Sequence, residues 1–224
     1  MKLIIFDLDG TLLNTIEDLG EAVNHALSLR NFPCHSMDEY YNMVGHGVRN
    51  LVKVALPEYL QTDESLVDSV LADFISWYTD HIDVHTRPYP GIPELLDRLK
   101  AEGYALAVAS NKFQSGAEYL VKEFFSGIPF VVVLGNMEGA PLKPSPEIVF
   151  LSMAKAGIDR SQAEGNVVMV GDSGTDIATA ANAGVASIAV PWGFRPADSL
   201  TAATYVATSV HDLEILIEKA ISRP

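Results

Sequence analysis

Five short runs that are apolar at nearly every position recur along the chain: "KLIIF", "YALAVA", "FVVVL", "NVVMV" and "ASIAV", with a weaker sixth in "TYVAT". A strand with one wet face alternates apolar and polar residues, so unbroken runs of this length describe strands covered on both faces, as in a parallel sheet. Helical spacing separates the later runs. In "GIPELLDRLKAEG", Ile92, Leu95, Leu96 and Leu99 share one helix face, and Gly103 stands where a C-terminal cap belongs. "SPEIVFLSMAKAGI" predicts a helix with Ser145 as N-cap and Pro146 in the first turn, closing at Gly157, and "TDIATAANAG" closes at Gly184. Strand and helix in alternation predict a doubly wound α/β domain with a parallel sheet.

Residues 14–84 interrupt that pattern, with helical periodicity and no strand run. Ile16, Leu19, Val23, Ala26 and Leu27 form one apolar stripe, and Leu66, Val67, Val70, Leu71, Phe74, Trp77 and Tyr78 form another. Between them "SMDE" has the form of a capping box, with Ser36 at the N-cap and Glu39 three residues on. The expected organisation is an α/β core of residues 1–13 and 85–224 with an all-helical cap of residues 14–84 inserted after the first strand. "RPYPGIP" marks the return to the core, with prolines and a glycine suited to a hinge.

The first strand run ends in "FDLDGT", which places Asp7 and Asp9 two positions apart beside an apolar core. Isolated carboxylates are costly to bury, so a compensating charge is expected. Ligands of open α/β sheets bind beyond the carboxyl ends of the strands. That edge should also receive Ser110, Asn111 and Lys112 from "ASNK", Lys143 from "PLKPSPE", and Asp172 and Asp176 from "GDSGTD". Acids converging there need a cation, and oxygen-only ligation favours a hard ion such as magnesium. Asp7 and Asp9 are expected to point the same way along the strand, with Leu8 turned into the packing. One could then attack phosphorus as a carboxylate while the other moves a proton.

In order and at strand ends, "DLDGT", "ASN", the lysine of "LKPSPE" and "GDSGTD" resemble the four motifs of the haloacid dehalogenase superfamily. The helical insertion and "KPSPE" resemble its phosphoglycolate phosphatase-like branch. The resemblance implies a magnesium-dependent hydrolase of a small phosphate monoester, acting through an aspartyl-phosphate. Asp7 would be the nucleophile and Asp9 the general acid and base. Asp7, the backbone carbonyl of Asp9, and Asp172 would ligate magnesium, while Asp176 would orient the site from outside the ligand set. Ser110 would hydrogen-bond the phosphoryl group, with backbone amides beside Ser110 and Asn111 holding its oxygens, and Lys143 would neutralise charge on nucleophile and phosphate. The acid two residues after the nucleophile argues against carbon–halogen hydrolysis. A phosphoglucomutase-like transfer, an inorganic pyrophosphatase and a non-catalytic phospholigand-binding regulator stay open as alternatives.

Within the cap, "VGHGVRN" forms a loop in which Gly45, His46, Gly47 and Arg49 could reach a substrate anion, or could simply turn one helix into the next. Lys53 reads as a helix-surface lysine, and His25, Trp77 and Tyr78 as cap packing. "PWGFRP" reads as a loop near the site, with Arg195 a candidate contact.

The formal charge of −14, with 15 Lys and Arg against 29 Asp and Glu, should repel nucleic acid and anionic membranes. A small anionic substrate must therefore be drawn in by a local cluster of positive groups. The single cysteine, Cys34, excludes an intramolecular disulfide and suits a reducing compartment. With no apolar stretch near membrane-spanning length, a cytoplasmic monomer or homodimer acting on a small phosphorylated metabolite is expected.

Overall fold

The computed structural model describes residues 1–221. Six parallel strands form the central sheet: β1 (Leu3–Phe6), β4 (Ala105–Phe113), β5 (Val132–Asn136), β6 (Val167–Gly171), β7 (Ala186–Ala189) and β8 (Tyr205–Val206), in the order β5-β4-β1-β6-β7-β8. Each of the six apolar runs overlaps one of these strands. β1 lies between β4 and β6, pairing Phe6 with both Val108 and Val170. All four β1 residues are buried because both faces are covered: Ile4 and Phe6 enter one hydrophobic cluster, Leu3 and Ile5 the other.

The first face carries α5 (Ile92–Ala101), α6 (Gln114–Phe125) and α9 (Val210–Ile221), and the second carries α7 (Glu147–Lys155) and α8 (Gly174–Ala183). Gly157 and Gly184 have positive φ just beyond α7 and α8, where the sequence places helix stops. α7 starts one residue later than Ser145 predicts. Pro146 takes the N-cap position, and Ser145 Oγ accepts only a long bond from the Glu147 amide, at 3.4 Å.

Four helices occupy the insertion: α1 (Ile16–Ser28), α2 (Met37–Met43), α3 (Val48–Ala55) and α4 (Glu64–Asp80). The predicted capping box starts α2, where the Ser36 amide and hydroxyl both donate to Glu39 Oε2. α1 packs on α4, and His25 stacks on Trp77. The two stripes meet in a cluster continuous with the first face of the sheet.

The passage between helices and sheet holds a feature not expected from sequence. β2 (Leu13–Asn14) and β3 (Arg87–Pro88) pair antiparallel, and two residues are too few to show a period. Beside this ribbon, buried Asp18 on α1 accepts bonds from the amides of His85 and Thr86 and from the Thr86 hydroxyl. The helices' point of departure is thus fastened to their point of return.

Candidate active site

β1 ends one residue before Asp7, so the two acids lie in the turn that follows and not on the strand itself. The turn is tight: the amides of Thr11, Leu12 and Leu13 all donate to the Leu8 carbonyl, and Leu8 is buried. Asp7 and Asp9 nevertheless line the same cleft, together with Ser110, Asn111, Lys143 and Asp172.

At its floor, Lys143 is buried and donates to Asp7 Oδ1 at 2.9 Å, Asp176 Oδ1 at 2.6 Å and the Ala109 carbonyl at 2.9 Å. Burial alone would lower its pKa, but the two carboxylates outweigh burial and hold the ammonium above its ordinary range. Asn111 fixes the lysine from behind. Its amide oxygen accepts from the Lys143 backbone N–H, and its Nδ2 donates to the carbonyls of Lys143 and Gly45. The Asn111 side chain is therefore occupied in holding Lys143 and the Gly45 loop. Asp176 is likewise engaged at both oxygens, since Oδ2 accepts from the amide and hydroxyl of Ser173.

Asp172 accepts from the Phe194 amide at 2.7 Å and from the Thr11 hydroxyl at 3.4 Å. Glycines on either side make room for it. A Cβ on Gly10 would stand 2.4 Å from Asp172 Oδ2, and one on Gly193 would stand 2.3 Å from the Asp172 Cβ. Gly10 also has a φ of +85°, a conformation that side-chain-bearing residues rarely adopt.

Asp7, Asp172 and Asp176 are all buried, with one carboxylate oxygen from each lying within 4.8 Å of the others. Burial, then Asp176, raise the Asp7 carboxyl well above the ordinary carboxylate range against the pull of Lys143, and Asp172 adds to the rise. Burial and Asp176 push Asp172 up to about 7, against the Phe194 amide and Lys143. One lysine does not balance three buried acids. A hard divalent cation does, and the all-oxygen donor set fits magnesium.

Asp9 is the more open acid, its side chain about 20% exposed, with Lys112 Nζ at 3.2 Å from Oδ1. Lys112 is fully buried at its side chain and donates to the Tyr78 hydroxyl at 2.6 Å. Ser110 is buried, lines the cleft, and its Oγ accepts from the Lys112 amide.

From the helical insertion, Gly45 and Gly47 line the cleft, but His46 and Arg49 do not. The expectation of charge from Arg49 is corrected: it is exposed and pairs with Glu64 and Asp68 on α4, two nearby acids that draw it outward. Arg195 does line the cleft. Sequence reasoning left Lys112 without a role, read Tyr78 as packing alone, and passed over Asp18. The only signals were a lysine and a tyrosine within otherwise apolar patterns.

Parallel topology, with acids gathered beyond the carboxyl ends of β1 and β6, first defines the class: a doubly wound α/β enzyme. The sequence profile of the haloacid dehalogenase-like hydrolases matches residues 4–190. The chain belongs to that family, as its four motifs implied, and is an enzyme of it. The phosphoglycolate phosphatase of Mesorhizobium japonicum is 35% identical over 193 residues, covering 86% of this chain and 83% of that protein. The phosphoglycolate phosphatase of Vibrio parahaemolyticus is 30% identical over 219 residues, covering 95% and 94%. Among solved structures, a candidate phosphoglycolate phosphatase from Lactobacillus delbrueckii subsp. bulgaricus aligns at 33% identity with a TM-score of 0.88, covering 97% of this chain and 99% of that one. Among the described residues no helix is long and apolar enough to cross a membrane.

Proposed function

We propose that the chain is a magnesium-dependent phosphatase of small phosphate monoesters, with phosphoglycolate the leading substrate, working through an aspartyl-phosphate on Asp7. The observation that carries this reading is the pairing of two acids with two separate lysines, Asp7 with Lys143 and Asp9 with Lys112, in one cleft. Two carboxylates held in different surroundings suit two different roles.

Asp7 Oδ attacks phosphorus and the bond from phosphorus to the leaving oxygen breaks, while the Asp9 carboxyl gives its proton to that oxygen. In the second half, Asp9 takes a proton from water, whose oxygen attacks phosphorus; the bond to Asp7 breaks and inorganic phosphate leaves. Lys143 offsets the repulsion between the Asp7 carboxylate and the incoming phosphate, and Ser110 donates to a phosphoryl oxygen. The carboxylates of Asp7 and Asp172 with the Asp9 carbonyl would hold magnesium, which when bound supplies positive charge against the phosphoryl oxygens. Asp176 has both oxygens committed to Lys143 and Ser173, which supports an orienting role for it. Residues 1–13 and 85–221 form the catalytic core in this reading, the last three positions of the expected core lying outside the described residues, and the helices of 14–84 form a cap that closes over the substrate.

The test is phosphate release with magnesium from phosphoglycolate, pyrophosphate, sugar phosphates and nucleotides, with Asp9→Ala beside the parent. One small ester should dominate, and Asp9→Ala should fall by at least about 100-fold on it. Interconversion of sugar phosphates without free phosphate would replace the hydrolase reading with a mutase.

A further inference from the structure

Three cations line the cleft: Lys112, Lys143 and Arg195. Lys143 is matched by Asp7 and Asp176, and Lys112 by Asp9. Arg195 has only neutral partners. Its Nη1 donates to the Tyr41 carbonyl and its Nη2 to the Val44 carbonyl, each at 2.6 Å. No carboxylate among the described residues lies within ion-pair distance of it, in a chain where acids outnumber bases 29 to 15. A guanidinium carries five N–H donors, so two carbonyl bonds fix its plane while its charge and three donors remain unused.

The surroundings favour a small anion at that charge. The two carbonyls come from the last turn and C-cap of α2, and the chain continues into Gly45, where even a Cβ would lie 3.5 Å from Nη2, so no side chain of that residue fills the space. Leu19, Val44, Val48, Leu51 and Phe194 make the neighbouring cleft wall apolar. Such a wall offers an anion no competing partner and strengthens a charge-assisted bond by excluding water.

We infer that Arg195 is the subsite for a second anionic group on the substrate, so that the preferred esters carry a carboxylate close to the phosphate. The inference rests on the phosphatase reading for the orientation of substrate, with the phosphoryl group toward Asp7 and Lys143 and the carboxylate toward Arg195. The tyrosine and valine carbonyls hold the guanidinium in place before substrate arrives, which limits the ordering that binding requires.

Direct titration calorimetry in magnesium tests it without turnover. Asp7→Asn protein is titrated with 2-phosphoglycolate and with ethyl phosphate, which lacks the carboxylate, and the two affinities are compared as a ratio. Adding Arg195→Gln should lower the preference for 2-phosphoglycolate by about 10- to 100-fold, the range of a charge-assisted hydrogen bond. Adding Arg195→Lys instead should retain part of it, because charge survives and the fork geometry does not. A ratio unchanged in both variants, or both ligands weakening in step as for a residue that only pins the loop, overturns the inference. So does 2-phosphoglycolate binding Asp7→Asn no more tightly than ethyl phosphate. Phosphate release by the parent protein is measured separately, so failure of the phosphatase reading shows there and failure of the subsite shows in the ratio.

Discussion

The Lys112 ammonium lies 2.6 Å from the phenolic oxygen of Tyr78 and 3.2 Å from Asp9 Oδ1, which connects the last turn of α4 to the acid that faces the cleft. Tyr78 is fully buried, and burial, then Asp9 and Asp18, push its hydroxyl well above the ordinary phenol range. The phenol stays neutral and accepts from the lysine. A side chain of the helical insertion thereby helps set where Asp9 sits.

Tyr78→Phe removes that bond and keeps the ring packed on Phe74 and Phe113. In the proposed mechanism Asp9 protonates the leaving oxygen, so misplacing it matters most where the leaving group is poor. We expect kcat/KM to fall about tenfold on phosphoglycolate and by much less on p-nitrophenyl phosphate, whose leaving group scarcely needs the proton. Equal losses on the two esters would show that Tyr78 serves packing alone.

Asp18 predicts a stability effect without direct chemistry. Asp18→Ala leaves the buried Thr86 amide and hydroxyl and the His85 amide without their acceptor. Urea unfolding should show a loss of about 3 kcal/mol, in keeping with removal of a charged acceptor from buried donors. A loss under about 1 kcal/mol would mean that water or a neighbour replaces the carboxylate.

Gly193→Ala sets a methyl group against Asp172 and the Gly10 carbonyl, both closer than 2.5 Å to the added carbon. Asp172 must shift, and magnesium should be held more weakly. The magnesium concentration giving half-maximal activity is expected to rise by about 10- to 100-fold, the scale on which supporting residues tune a metal site. An unchanged magnesium requirement would place Asp172 outside the ligand set.

The raised Asp172 carboxyl gives a pH dependence that magnesium should invert. Without metal, the folded protein keeps this proton up to about pH 7, whereas the unfolded chain loses it near 3.8. Between those values the native state binds more protons, so stability is greatest at the acid end of the window and falls as pH rises through it. Magnesium binds the deprotonated acids and should stabilise more at pH 8 than at pH 5. Thermal unfolding in EDTA and in magnesium at the two pH values checks this, and equal stabilisation at both would contradict it.

Much of the core was legible because strands buried on both faces leave no polar position to obscure the run, as "LIIF" and "NVVMV" illustrate. Asp7, Lys143 and Asp172 could be anticipated because four short motifs stand in order, each ending at the same sheet edge. What escaped depended on separation. Tyr78 is 34 residues from Lys112, and Lys112 is 103 from Asp9, so neither pairing leaves a local trace. Arg49 misled for the opposite reason: a glycine-flanked basic loop looked like an anion site, yet Glu64 and Asp68 sit one helix away and pair with it. Asn111 was placed at the right edge, but the Lys143 and Gly45 backbone groups that occupy it became visible only in the folded chain.

The central claim is covalent transfer of the phosphoryl group to Asp7, and acid-quenched turnover with phosphoglycolate and magnesium, followed by peptide mass spectrometry, tests it most directly. The account predicts the mass of one phosphoryl group on the peptide that carries Asp7, removed by hydroxylamine and absent from Asp7→Asn, which should also release no phosphate. A phosphoryl group on another residue, or turnover that survives in Asp7→Asn, would contradict it.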